Sequence, residues 1–418
     1  MKKGKNLVFG MLGLFLVVAC VLAGCAPARP EIDFVFMQRT DTTVEYWERV
    51  VRDFEAQNPN VKVNLHVLKW EDGPAQIEEM VAAGTPPDII HVATRELGGY
   101  IAKGWVEPID AYMTPEFKAG FYPQILNASA QYEGRTFGLP VSVTTRGLYY
   151  NKELFAQAGI AEPPKNWTEL RDSALKISQL GPDIHGFGIL GSGKETDLYF
   201  YYFLVGNGGS MLTPDGTRAA FNRPEGAEAL LYLHQLLQDG AAPPDPGQYK
   251  KGDLRQAFID GKLGMVIDSD SLAESLKKSE NPFEYGLAPI PVQSASATVG
   301  VTDSLSLFSQ GENKEIAWQF IEFIYQDQYR IEYALHEGYL PEKKAVAESE
   351  QMRGQNQFFL EQLPNARFVQ TNVKSIEIEK IISEALLSVY RGQEDALTAL
   401  NAAAAKINEL LSYSATSW

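Results

Sequence analysis

Between residues 32 and 92 the hydrophobic period of the chain keeps switching, and this alternation restricts the fold more than any other feature of the sequence. Residues 32–37, apolar apart from Asp33, read as a short buried strand. Thr42-Thr43-Val44-Glu45 follows, a capping-box pattern in which the hydroxyl and the carboxylate satisfy the first free backbone amides of a helix. That helix places Val44, Trp47, Val51 and Phe54 on one face and ends near Asn58-Pro59. Val61, Val63, Leu65 and Val67 then alternate with Lys62, Asn64 and His66, the pattern of a strand with one wet face. A second helix is expected over residues 75–83, broken by Gly84-Thr85-Pro86-Pro87, and Asp88-Ile89-Ile90-His91-Val92 reads as the next strand. Strand, helix, strand, helix, strand implies parallel pairing with right-handed crossovers, so the sequence predicts an α/β fold.

A second α/β stretch begins at Leu148-Tyr149-Tyr150-Asn151, where the two tyrosines are expected on opposite faces of a strand. It continues through Glu162-Pro163-Pro164 to a helix opened by Thr168. The aromatic run 199–203 fits a helix whose side chains are mostly core, with one able to reach a cleft. Residues 375–411 read as a long, alanine-rich helical buttress. About 390 residues follow Cys25, more than one core comfortably holds, so two lobes are expected.

The first residues bear on location. Lys2, Lys3 and Lys5 precede an uncharged stretch over 7–24, about the length of a signal-peptide apolar region. It closes with Leu22-Ala23-Gly24-Cys25, the pattern of a bacterial lipobox, which implies cleavage before Cys25 and lipid on the new N-terminal cysteine. An uncleaved signal anchor is the alternative. The only other cysteine is Cys20, lost with the leader, so no disulfide, thiol or cysteine metal site is expected in the mature chain. With five scattered histidines no transition-metal site is expected either, and no cofactor. Removing the three leader lysines takes the net charge from −16 to about −19. That balance argues against nucleic acid, whose binding needs clustered Lys and Arg, and against polybasic docking on a membrane, which leaves the lipid as the anchor.

Eight short segments then match one family in order. Phe54-Glu55-Ala56-Gln57-Asn58-Pro59-Asn60-Val61-Lys62-Val63 and Ala82-Ala83-Gly84-Thr85-Pro86-Pro87-Asp88-Ile89 come first. Gly134-Arg135-Thr136-Phe137-Gly138-Leu139-Pro140 follows, then the most diagnostic block, Leu148-Tyr149-Tyr150-Asn151-Lys152-Glu153-Leu154-Phe155 with Ala158-Gly159, Pro163-Pro164 and Trp167-Thr168-Glu169-Leu170. Phe258-Ile259-Asp260-Gly261-Lys262-Leu263-Gly264-Met265, Tyr285-Gly286 through Pro291, Ala317-Trp318-Gln319-Phe320 and Gly338-Tyr339-Leu340-Pro341 complete the series. Together they resemble the extracellular solute-binding proteins of family 1, the carbohydrate-type receptors of ABC importers, and more distantly maltose-binding protein. The resemblance implies a two-lobed periplasmic-binding-protein-like (type II) α/β fold with a hinge between the lobes and a helical C-terminal segment. On that basis residues 1–24 are a signal peptide and 25–31 a lipidated N-terminus and linker. Residues 32–145 begin lobe 1, 146–297 form lobe 2, 298–341 return to lobe 1, and 342–418 pack mainly on lobe 2.

In open α/β sheets ligands sit beyond the carboxyl ends of strands. That rule selects Gln38, Arg39 and Asp41 after the first strand, Trp70 after the second, and Thr94, Arg95 and Glu96 after the third. The resemblance implies sugar contacts at Arg95, Glu96 and Thr144. Ser142 and Thr145 lie beside Thr144 at the crossover, and Asp268, Asp270, Thr302, Asp303 and Tyr339 are later candidates. Carboxylates and guanidinium groups give strong hydrogen bonds to hydroxyls, and aromatic rings offer flat faces to sugar CH surfaces. Where relatives carry a stacking tryptophan after the strand resembling Met265-Val266-Ile267, this chain has Asp268-Ser269-Asp270-Ser271, which favours a smaller or more polar ligand. The expected protein is a monomeric, lipid-anchored receptor that captures a sugar-like solute by hinge closure, passes it to a membrane permease and catalyses nothing. The rivals are a glycoside-active enzyme pairing Asp268 with Asp303, and a receptor for a non-sugar polar or cationic solute.

Overall fold

The computed structural model describes residues 29–280 and 282–414; the leader, the lipobox and Cys25 lie outside the described residues. Glu31–Met37 (β1) pairs in parallel with Lys62–Leu68 (β2) on one side and Ile89–Ala93 (β3) on the other. Thr43–Gln57 (α1) and Gly73–Ala82 (α2) make the crossovers. The predicted α/β alternation is therefore what the chain adopts. Its edge strand β2 is only partly covered: Val63 is buried, whereas Leu65 and Val67 are half-buried.

The first turn of α1 differs from the sequence reading. The Thr42 side chain makes no capping hydrogen bond. Thr43 turns inward instead; its hydroxyl accepts from the Thr40 backbone N–H at 3.0 Å and donates to Glu337 at 2.9 Å. Burying Thr43 rotates the helix so that Tyr46, Trp47, Val50, Val51 and Phe54 face the core. Val44, expected inside, is 37% exposed.

Thr94–Ala102 (α3) leaves the carboxyl end of β3, and Leu139–Thr144 (β4) leads through Thr145 and Arg146 into Gly147–Asn151 (β5). After the short helix Lys152–Gln157 comes Trp167–Ser178 (α4), capped by Asn166, whose side chain accepts from the Glu169 N–H, so it opens one residue before the expected Thr168. Then come His185–Phe187 (β6), Thr196–Gly206 (α5), Pro224–Gln238 (α6), Lys251–Ile259 (α7), Leu263–Asp268 (β7) and Tyr285–Ala288 (β8). The chain returns on Thr298–Leu307 (β9), followed by Asp327–Glu337 (α8), Ala366–Phe368 (β10), Ser375–Tyr390 (α9) and Ala396–Ser414 (α10).

These elements build two sheets. The first has the order β10-β9-β3-β1-β2, with β4 also on β9; the second has the order β8-β5-β7-β6. Strand β9 runs antiparallel to both β3 and β4, which closes the first lobe with a strand from late in the chain. Tyr149 on β5 is fully buried and donates to the Ser269 carbonyl at 2.8 Å, while Tyr150 on the opposite face is half-buried. All of residues 199–203 on α5 are buried. The C-terminal segment divides: β10 pairs with β9, α10 packs on α6, and α9 touches both α3 and α5. Among the described residues no helix is long and apolar enough to cross a membrane.

The two connections between the sheets clasp each other. Thr298 donates its hydroxyl to the Arg146 carbonyl at 2.8 Å and accepts from the Arg146 N–H at 3.3 Å. Both residues are buried, so these bonds tie the two connections together away from water.

Candidate functional site

A cleft of about 1410 Å³ lies between the two sheets, over the carboxyl ends of β1, β3 and β7. Every strand end that faces it carries polar residues, because a backbone leaving a sheet needs partners and a ligand can share them. On the first lobe the lining includes Arg39, Asp41, Trp70, Thr94, Arg95 and Glu96, with Thr144 at the crossover and Thr302, Asp303 and Tyr339 beyond it. On the second lobe Asp270 lines it. Four expected residues do not. Ser142 and Thr145 are buried beside the crossover, Ser142 3.1 Å from the Tyr333 hydroxyl and Thr145 donating to the Phe359 carbonyl at 3.0 Å. Gln38 folds back, its amide donating to the Thr40 carbonyl at 3.1 Å. Asp268 points into the second lobe, 2% exposed, where Arg255 grips both its oxygens at 2.5 and 2.7 Å.

Asp268 and Asp270 stand two residues apart with opposite surroundings. Burial works against the Asp268 charge, but the Arg255 hydrogen bond and the nearby Lys251 and Arg146 overcome it and hold its carboxyl below the usual carboxylate range. Burial also dominates at Asp270, where Arg39 and Arg146 offset it only in part, so that carboxyl is raised. Asp270 reaches across the cleft to Arg39 at 3.2 Å, and the Arg39 guanidinium lies 3.8 Å over the Tyr339 ring. Gly338, with φ of 76°, ends α8 here; a Cβ on it would meet Asp270 Oδ2 at 3.3 Å. The position thus favours glycine by conformation and by space.

Arg95 makes a second bridge, to Asp197 on α5 at 3.0 Å and to Glu379 on α9 at 2.8 Å. Glu96 meets Lys194 at 3.2 Å on the rim. The hydroxyls are tied more locally. Thr94 donates to the Ser129 carbonyl at 2.7 Å and lies 2.9 Å from the Thr302 hydroxyl.

Sequence reasoning missed several lining residues. Arg146 is buried, donates to the Thr144 hydroxyl at 2.7 Å and lies 3.8 Å from Glu195. Lys251 bonds the same Glu195 at 2.7 Å. Burial penalises the Glu195 charge, yet Lys251 and Arg146 outweigh it and its carboxyl is lowered. The signal for Arg146 was present, a lone cation between two strand runs; Lys251 and Arg255 are spaced one helical turn apart, which puts both on one face of α7. Phe368 also lines the cleft, its ring over Gly300, where an added Cβ would meet it at 2.3 Å. Nothing local marks Phe368, which arrives on β10 from the C-terminal segment.

The model of the bacterial extracellular solute-binding proteins matches residues 40–331. The chain belongs to that family. As a solute-binding protein it is similar to a putative binding protein of Brucella abortus, with 35% identity over 96% of this chain and 98% of the relative. It is also similar to the diacetylchitobiose binding protein of Streptomyces coelicolor, 24% identical over 71% of this chain and 70% of that one. An ABC transporter solute-binding protein of Thermotoga lettingae, solved with alpha-D-tagatose, superposes with a TM-score of 0.78 at 25% identity, covering 91% of this chain and all of the other. Such solute-binding proteins work outside the cytoplasm with ABC transporters, and they are not enzymes. The geometry speaks against the paired-carboxylate rival as well, since Asp268 is locked to Arg255 and does not face Asp303 across the cleft.

Proposed function

We propose that this solute-binding protein is the lipid-anchored receptor of an ABC importer and captures an uncharged carbohydrate, a mono- or short oligosaccharide or related polyol, by closing its two lobes. The observation that carries this reading is the state of the cleft's charges. Arg39, Arg95, Arg146, Lys251 and Arg255 each have a carboxylate partner within the protein. An anionic solute would have to compete with those partners, whereas hydroxyls can add to them. Trp70 and Phe368 supply apolar faces for sugar CH groups. The sugar ligands of the Streptomyces and Thermotoga relatives support the same class.

On this reading residues 32–145 and 298–341 make one jaw and 146–297 the other, with 342–418 bracing mainly the second. The protein works as a monomer, and Cys25 carries the lipid that keeps it at the membrane. Ligand favours closure through contacts that the open form lacks, so donors must come from both jaws. A micromolar ligand, about −8 kcal/mol, needs only several such hydrogen bonds and one stacked ring.

A thermal-shift screen across sugars, polyols, polyamines and sugar phosphates tests the ligand class, followed by small-angle scattering with the best binder. Stabilisation by a neutral sugar together with compaction is expected. A polyamine or phosphate as the tightest binder would overturn the reading, as would hydrolysis of the bound sugar. For the anchor, Cys25→Ser is expected to release the protein from the membrane fraction.

A further inference from the structure

One buried titratable side chain next to the cleft has no assigned task. His91 sits on β3 in an otherwise apolar strand and is 1% exposed. Its ring stacks on Phe36 at 4.0 Å and meets Trp70 edge-on at 5.3 Å. Nδ1 accepts the Met37 backbone N–H at 3.2 Å. In the neutral ring the proton is therefore on Nε2. That Nε2 has no hydrogen-bond partner and lies 3.7 Å from Asp303 Oδ2.

The sheet explains the approach. His91 stands opposite Leu305 in the β3–β9 register, so Asp303, two residues along, is its diagonal neighbour on the same face. The β9–β4 register also shifts between Asp303 and Ser304, an irregularity of the kind that re-aims a side chain. Trp70 and Asp303 line the cleft; His91 stands behind both.

We propose that His91 is a positioning residue of the ligand site: its Nε2–H draws one carboxylate oxygen of Asp303 inward, so the other is presented to a ligand hydroxyl. Buried donors with no partner are costly, and the Asp303 carboxylate, 3.7 Å away, attracts this one electrostatically without forming a hydrogen bond in the free protein. The inference rests on the carbohydrate reading of the cleft for the identity of the ligand. The coupling of His91 to Asp303 does not depend on it.

The test uses His91→Asn, which keeps an acceptor near Nδ1 but loses the Nε2 donor, and His91→Gln, whose amide can restore a donor near Nε2. Titration calorimetry with the best sugar is expected to show about tenfold weaker binding for His91→Asn, and within about threefold of wild type for His91→Gln. In an Asp303→Asn background, His91→Asn should change affinity by less than about twofold. Equal losses in the two His91 variants, or independent losses at His91 and Asp303, would overturn the proposal. A second measurement needs no ligand: in ¹⁵N-histidine spectra of the free protein, Asp303→Asn should move the His91 ring signals, identified by their loss in His91→Gln. Unmoved signals overturn the proposal too. If those signals move but no sugar binds, only the carbohydrate reading falls.

Discussion

The two walls of the cleft are built on different terms. The second-lobe wall is charged but self-sufficient: Arg255 holds Asp268, and Lys251 and Arg146 hold Glu195. The first-lobe wall offers Trp70, Asp303 and a row of threonines, and its two guanidinium groups, Arg39 and Arg95, find carboxylates across the gap at Asp270 and Asp197. A charged residue in a cleft is therefore no guide to its role. What differs between the walls is where the partners lie: Lys251, Arg255 and Arg146 have theirs beside them, whereas Arg39 and Arg95 reach across the gap.

The largest expected effect comes from breaking the second-lobe wall. Asp268→Asn strips Arg255 of its buried partner and should cost about 3 kcal/mol of stability, read as a lower denaturant midpoint. A selective loss of affinity at unchanged stability would make Asp268 a contact and erase the contrast. Next comes the opposite wall, where Trp70→Ala should weaken ligand binding by about ten- to a hundredfold in calorimetry while changing the unfolding midpoint far less.

The paired aspartates sharpen the contrast through pH. Asp268 is lowered below its ordinary 3.8, so its contribution to stability is present above that value and is lost as pH falls through the folded one. Asp270 is raised above 3.8, so its contribution is present below that value and is lost as pH rises through the folded one. Relative to wild type, Asp270→Asn should therefore gain stability with rising pH across the acid range, and Asp268→Asn should lose it. Denaturant midpoints between about pH 2.5 and 7 give both slopes, that of Asp268 at the acid end and that of Asp270 above 3.8. The smallest effect is at the rim, where Lys194 is 78% exposed: Lys194→Ala should shift affinity by less than about twofold, the usual worth of a solvated ion pair.

The strands 31–37, 62–68 and 89–93 were legible because hydrophobic period is a local property. Much of the cleft lining was legible for a related reason, since it follows from which end of a parallel strand a residue leaves. Asp268 was not. Strand β7 is buried on both faces, so alternation cannot tell inward from outward, and the deciding partner, Arg255, lies on a helix packed from the side. Val44 failed for a tertiary reason, because Glu337 captures Thr43 from almost 300 residues away and turns the helix. Phe368 reaches the cleft only because a short strand from the C-terminal segment docks on β9.

Strand β9 has a kinetic consequence. It pairs Asp303 with Ala93 and Val301 with Thr144, so the sheet that begins at residue 31 cannot be completed until residues 298–307 exist. Such distant pairings are slow to form, because a long loop must close before any contact rewards it. The middle of the chain, whose sheet contains only strands between 147 and 288, can assemble earlier. Whatever route takes the chain out of the cytoplasm, β3 therefore lacks its partner β9 until residues 298–307 are available.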